Sequence, residues 1–355
     1  MKLLTLLVAG AALPLISAAP ASTAIVEDTS SVDADASVAA TLALSTKTFT
    51  QPSAPQNVNE APPEPSVPES PRPSSSYTAR TSAARPGTRP PPFAKGRVPV
   101  ILPEQLGFCK STKPTQYTFD LEGLATNTRN LLKALGVTKP PIVIGHSLGG
   151  MLASRFALTY PEFTKSLVLV SPIGLEDWKQ LGVPDRSFDL LANDEKTTTY
   201  ASLRGYEQAT YYPGAEWTED FDKWVVMLTK VYEGDQKEKF WADQARVVEM
   251  VLGQPTIHEY KKIKPKTLLV IGEKDNTAIG KVWSPPEVQA KLGNYAVLGR
   301  KAQAAIPDAT LVSFPYLGHA PQIQDPEMFN RILSSWVSDG GRSLGSLKLN
   351  ATIIR

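Results

Sequence analysis

Cysteine is almost absent: the 355 residues contain one, Cys109. An internal disulfide is therefore excluded, and the fold has to rest on its apolar core. Charge of either sign is not in excess, since 37 basic and 35 acidic residues leave a formal net charge of +2. That balance gives no electrostatic case for nucleic acid or for an anionic membrane surface as partner. Beyond the N-terminus no apolar stretch reaches the ~18 residues that span a bilayer, so no membrane span is expected. Histidine is also scarce, with three residues, so any chemistry that needs an imidazole has few candidates.

What is abundant is proline, 31 residues unevenly placed. The chain begins with Lys2, an apolar run from Leu3 to Ile16 and then Ser17-Ala18-Ala19. This is the pattern of a secretory signal over residues 1–18, and a secreted protein is expected. The sequon Asn350-Ala351-Thr352 fits the same route. Residues 19–95 are rich in Pro, Ser and Ala, as in Arg89-Pro90-Pro91-Pro92. With so little apolar surface to bury, the tract is expected to be disordered. The compact part is expected over residues 96–340, with a tail at 341–355.

Inside that part the hydrophobic period alternates. Val98 to Leu102 reads as a strand, and Leu121, Leu124, Leu131, Leu132 and Leu135 recur at helical spacing with Gly136 as the stop. Further strands are read at Ser166 to Val170, Thr267 to Ile271 and Ala309 to Phe314, and a last amphipathic helix carries Phe329, Ile332, Leu333 and Trp336. Strand and helix in alternation predict an α/β fold with a mostly parallel sheet. Residues 174–262 interrupt the alternation with helical, aromatic-rich sequence, including Tyr206, Tyr211, Tyr212 and Trp217. The position suggests a cap over the sheet's active edge, with most of these aromatics forming the cap's own core.

The richest stretch is Pro141 to Gly150, in which an apolar run stops at Gly145-His146-Ser147-Leu148-Gly149 and helix-like sequence follows. Such a strand-to-helix turn pushes the serine hydroxyl out at a helix N-terminus, where N–H groups can stabilise an oxyanion. A serine needs a base, and the base needs an orienting carboxylate. His146 lies in the turn itself, pointing away from the hydroxyl, and His258 sits in the helical stretch as a surface or packing residue. His319 lies in a Gly-containing loop after the last strand, at the carboxyl edge of the sheet where ligand chemistry concentrates in open α/β folds. Asp275 also follows a strand, and the order Ser147, Asp275, His319 is that of one triad architecture. Glu176 and Asp177 are alternative acids.

On these residues, 96–340 resembles the α/β-hydrolase fold superfamily, in the group with a helical cap between sheet strands six and seven. The resemblance implies Ser147 as nucleophile, His319 as base and then acid, Asp275 as orienting carboxylate and the Leu148 N–H as oxyanion donor. It implies no metal and no organic cofactor, and a small-molecule substrate, expected to be an apolar ester. Amide or carbon–carbon hydrolysis, or a non-catalytic binding role, are the alternatives. A serine at the turn argues against relatives that use aspartate there, the epoxide hydrolases and haloalkane dehalogenases.

The sequence departs from that pattern upstream. Relatives in the superfamily take a second oxyanion N–H from a loop usually announced by His-Gly, and this chain has no His-Gly. Residues 104–111 resemble the loop after the fourth strand, with Glu104 in place of Asp and Cys109 in place of a Gly. The three strands expected before it are replaced by the Pro-rich tract. Read one base out of phase, Arg72 to Gly87 permits an apolar run followed by His-Gly, which points to a frame or splicing error in residues 59–95. The chain as written is expected to fold poorly or to turn over weakly.

Overall fold

The computed structural model describes residues 6–9, 45–51 and 75–82 as strands, and then residues 100–109, 111–115, 117–344 and 350–355. The strands are β1 (Leu6–Ala9), β2 (Ser45–Gln51), β3 (Ser75–Ser82), β4 (Val100–Glu104), β5 (Ile142–His146), β6 (Ser166–Val170), β7 (Thr267–Gly272), β8 (Ala309–Phe314) and β9 (Thr352–Ile354). They form one sheet in the order β2-β3-β4-β1-β5-β6-β7-β8-β9. Pairing is parallel from β4 through β8 and antiparallel at both margins.

Three of these strands fall in the N-terminal region. Ser45–Gln51 and Ser75–Ser82 lie in the tract expected to be disordered, yet pair with each other and, through β3, with β4. Their threonines and single aromatics have strand propensity that low overall hydrophobicity hid. Leu6–Ala9, inside the segment read as a secretory signal, is parallel to both β4 and β5, with Leu6 opposite Ile142 and Ala9 opposite Gly145. A short apolar run satisfies a buried parallel strand as well as a signal's apolar segment, and composition cannot separate them. The strand carrying the serine turn thus has a neighbour on each side, where the sequence suggested a missing one. The rest of residues 1–99 lies outside the described residues.

From β5 to β8 nearly every residue is buried, because helices cover both faces of the sheet. Side chains alternate between the faces. Val143, Leu167, Leu169, Leu269 and Leu311 join one cluster with Leu124 and Leu132 of α1 (Leu121–Ala134) and Leu152 and Phe156 of α2 (Leu148–Thr159). Ile144, Val168, Val170, Leu268 and Val312 join the other, which also holds Phe329, Ile332 and Trp336 of the C-terminal helix Pro326–Ser338. Local signals set the ends of α1: the Asp120 carboxylate accepts from Gly123 N at 2.6 Å, and Gly136 follows at φ 74°.

Between β6 and β7 run α3 (Phe188–Lys196), α4 (Tyr200–Thr210), α5 (Glu219–Glu233) and α6 (Lys237–Gly253). Leu203, Val225, Leu228, Tyr232 and Phe240 form a core of their own among them, and Tyr212 stacks on Phe221 at 3.7 Å between ring centres. Among the described residues no helix is long and apolar enough to cross a membrane.

Helix α6 meets the loop after β4 through buried polar groups. Gln244 Nε2 donates to Gly107 O at 3.3 Å, and an ideal Cβ on Gly107 would lie 3.4 Å from Asp243 Cβ. In the same loop Cys109 sits at φ 40°, the left-handed region that favours the Gly of the resembling pattern. Burial raises the Asp243 carboxyl to about 7 against the partial compensation of Arg246, whose Nη1 lies 3.1 Å away. An acid whose pKa rises on folding stabilises fully below its unfolded value of 3.8, and that contribution is lost as the pH climbs through about 7. Asp243→Asn is therefore expected to flatten the fall in Tm between about pH 4 and about pH 8, read by thermal denaturation across that window.

Candidate active site

Strand β5 ends at His146 and α2 begins at Leu148, leaving Ser147 alone in the turn at φ 54° and ψ −124°. A non-glycine residue rarely holds such a backbone, and here its surroundings fix it. Ser147 N donates to Val170 O at 3.2 Å, while Ser147 O accepts from Gly150 N at 2.8 Å and Ile173 N at 3.1 Å. The turn is possible because its walls lack side chains. An ideal Cβ on Gly145 would lie 2.0 Å from Gly149 O, and one on Gly150 would lie 2.4 Å from Pro172 Cβ. Leu148 is the first residue of α2, where N–H groups have no acceptor within the helix and the helix dipole is positive.

Asp275 follows β7 and is buried. Its Oδ1 accepts from Thr277 N at 2.8 Å, and its Oδ2 lies 2.6 Å from His319 Nδ1. Both side chains are wholly buried. The carboxylate can only accept, so Nδ1 carries the proton and Nε2 of the neutral ring is the basic nitrogen. Nε2 is buried and has no hydrogen-bond partner among the described residues. The loops carrying Asp275 and His319 touch through backbone, since an ideal Cβ on Gly272 would fall 2.1 Å from Gly318 O.

The remaining candidates separate cleanly. Glu176 is buried against Trp178 Nε1 at 3.1 Å and Gly293 N at 2.9 Å, and Asp177 faces His258 Nε2 at 2.8 Å. The His258 side chain is half exposed. His258→Ala is accordingly expected to leave kcat within about twofold, measured by steady-state kinetics.

Several neighbours of His319 gave no signal in the sequence. His146 Nε2 lies 2.8 Å from His319 O, and the two rings are 4.8 Å apart. His319 N donates to Thr210 O, at the end of α4, at 3.2 Å. The Tyr211 ring lies 4.5 Å from the His319 ring, and Tyr295 lies 6.2 Å away with its hydroxyl donating to Pro172 O at 3.1 Å. Tyr206 packs on Tyr211 at 6.0 Å. Tyr211 thus bridges the His319 ring and the Tyr212–Phe221 cluster of the inserted helices, on which Tyr206 also packs. A histidine next to Ser147 is visible in sequence, but its bond to a carbonyl 173 positions away is not.

The sequence profile of the α/β hydrolase fold matches residues 89–326. The chain belongs to the α/β hydrolase fold family. It is a hydrolytic enzyme, with a mostly parallel sheet flanked by helices. A solved structure of a probable hydrolytic enzyme from Pseudomonas aeruginosa PAO1 is 40% identical, with a TM-score of 0.74, and the match covers 85% of this hydrolase and 96% of that chain. A 2-hydroxy-6-oxononadienedioate/2-hydroxy-6-oxononatrienedioate hydrolase from Comamonas testosteroni is 27% identical over 253 residues, 70% of this chain and 80% of its own length. Lipase 3 from Moraxella sp. (strain TA144) is 25% identical over 236 residues, covering 63% of this chain and 64% of that lipase.

Proposed function

We propose that this α/β hydrolase cleaves a carboxylic ester or related acyl bond of a small, apolar substrate through an acyl-enzyme on Ser147. The observation that carries the reading is the 2.6 Å contact between Asp275 Oδ2 and His319 Nδ1, which leaves Nε2 as an unpaired base on the sheet edge where Ser147 sits. Ser147 Oγ attacks the substrate carbonyl as its proton passes to His319 Nε2. Asp275 holds the ring in the required tautomer and stabilises the imidazolium. The Leu148 N–H stabilises the oxyanion. Collapse expels the alcohol, protonated by His319, and water activated by the same nitrogen then releases the acid and frees Ser147.

A fluorophosphonate probe tests the assignment. Labelling of the wild-type chain that disappears in Ser147→Ala supports it, and labelling that survives in Ser147→Ala overturns it.

A second reading is cleavage of a carbon–carbon bond. The compound named for the Comamonas relative holds no ester or amide, so its hydrolysis must break such a bond. Turnover of a 2-hydroxy-6-oxo dienoate above that of a p-nitrophenyl ester would favour this reading.

The second oxyanion donor is proposed to come from the neighbouring reading phase of codons 72–87, which would supply the His-Gly loop. Transcript sequencing across codons 58–96 is expected to show that phase, and a transcript in the printed frame overturns it. Loss of one oxyanion donor lowers turnover by roughly 10²- to 10³-fold.

A further inference from the structure

The His319 backbone is held from two sides. Its N–H donates to Thr210 O at 3.2 Å, and its carbonyl lies 2.8 Å from His146 Nε2. His146 is wholly buried and is the chain neighbour of Ser147. We propose that His146 is a positioning residue for hydrolysis: its Nε2–H, bonded to the His319 carbonyl, ties the residue beside the nucleophile to the residue bearing the base and so sets their separation. This inference rests on the assignment of Ser147 and His319 given above.

The chemistry of the contact fixes its direction. A peptide carbonyl can only accept, so Nε2 of His146 carries the proton and Nδ1 is bare. Among the described residues Nδ1 is buried without a hydrogen-bond partner, and the one hydrogen bond of the His146 ring is to His319. The tie is short and stiff, because an imidazole has two side-chain torsions and both are enclosed. His319 itself reaches Asp275 through a second two-torsion side chain. The position of Nε2 relative to Ser147 is therefore determined by the backbone of the His319 loop, and His146 is what joins that backbone to the turn.

The tie also has to be uncharged. Burial, and then the neighbouring His319, hold the His146 pKa well below the ordinary histidine range. With ring centres 4.8 Å apart, a charged His146 would oppose the imidazolium that His319 becomes during turnover. A neutral donor can position the base without that penalty, which a lysine or arginine at this place could not do.

The test compares three substitutions in the full-length chain. His146→Leu removes the donor and keeps an apolar side chain. His146→Gln places an amide Nε2 at a reach similar to that of the imidazole Nε2, and His146→Asn carries a shorter amide that falls short of the carbonyl. A displacement of about 1 Å between reacting groups can cost about 10²-fold in rate. The expected result is that His146→Leu lowers both kcat for a p-nitrophenyl ester and the rate of fluorophosphonate labelling by about 10- to 100-fold, with KM within about twofold. His146→Gln recovers most of the loss. If His146→Leu does not fold, His146→Asn takes its place, with the same expectation. The proposal is overturned if the donor-free variant keeps kcat within about twofold, if His146→Gln is as slow as it, or if KM rises with kcat unchanged. Failure here is separable from failure of the nucleophile assignment, since the latter shows as persistent labelling of Ser147→Ala.

Discussion

Asp275→Asn is expected to lower kcat about 10⁴-fold while the protein keeps its fold. The reason lies in which proton sits where. Asp275 Oδ1 accepts from Thr277 N at 2.8 Å, and that bond selects the orientation of an asparagine amide, with its oxygen toward Thr277. The amide nitrogen then faces His319 Nδ1, in place of the oxygen that lies 2.6 Å from it. An N–H donor opposite Nδ1 favours the tautomer with the proton on Nε2. That nitrogen can no longer take the proton of Ser147. The packing around the pair is nearly unchanged, so Tm and KM are expected to stay close to the wild type while turnover collapses. A loss of less than about tenfold in steady-state assays would show that Asp275 does not set the tautomer.

The second large effect concerns stability. Gly145→Ala is expected to destroy the fold, with a cost of at least about 3 kcal/mol, seen as insoluble or non-cooperatively melting protein. The ideal Cβ would lie 2.0 Å from Gly149 O and 2.4 Å from Gly149 C. Both atoms are backbone at the start of α2, and moving them means unwinding the turn that presents Ser147. Gly205→Ala is the control, because Gly205 lies within α4 and a Cβ there meets nothing within 4 Å. It is expected to raise stability by about 0.5–1 kcal/mol, the ordinary helix preference of alanine over glycine. A Gly145→Ala protein that melts cooperatively near the wild-type Tm would show that the turn can open without cost.

Much of the half of the chain around Ser147 could be read in advance because its signals are local. Gly145 to Gly150 encode a turn by what they lack, and Asp275 and His319 each follow a run of strand residues that names its own end. The core from β5 to β8 was legible for the same reason: strands buried on both faces are continuous apolar runs, and these are short enough not to be mistaken for helices. The N-terminal region had no such signal. Thr46, Thr48 and Thr50 alternate with Lys47 and Phe49, a pattern whose strand character depends on a partner rather than on burial. Leu6–Ala9 fits two environments equally well, and which one it enters is decided by β4 and β5, more than 90 residues away. Contacts such as His146 to His319 and Thr210 to His319 are likewise tertiary, and no periodicity encodes them.

The seam between the inserted helices and the His319 loop bears on how substrate reaches Ser147. The end of α4 gives its Thr210 carbonyl to His319 N, Tyr211 lies on the imidazole, and an ideal Cβ on Gly318 would fall 2.3 Å from Tyr211 O. Lifting this end of the insertion would release the imidazole's own anchorage. The insertion therefore acts at this end as a fixed jamb rather than a door. If Ser147 and His319 act as proposed, an open enzyme would be a disarmed one, and the route expected for substrate is along a side of the insertion remote from Thr210.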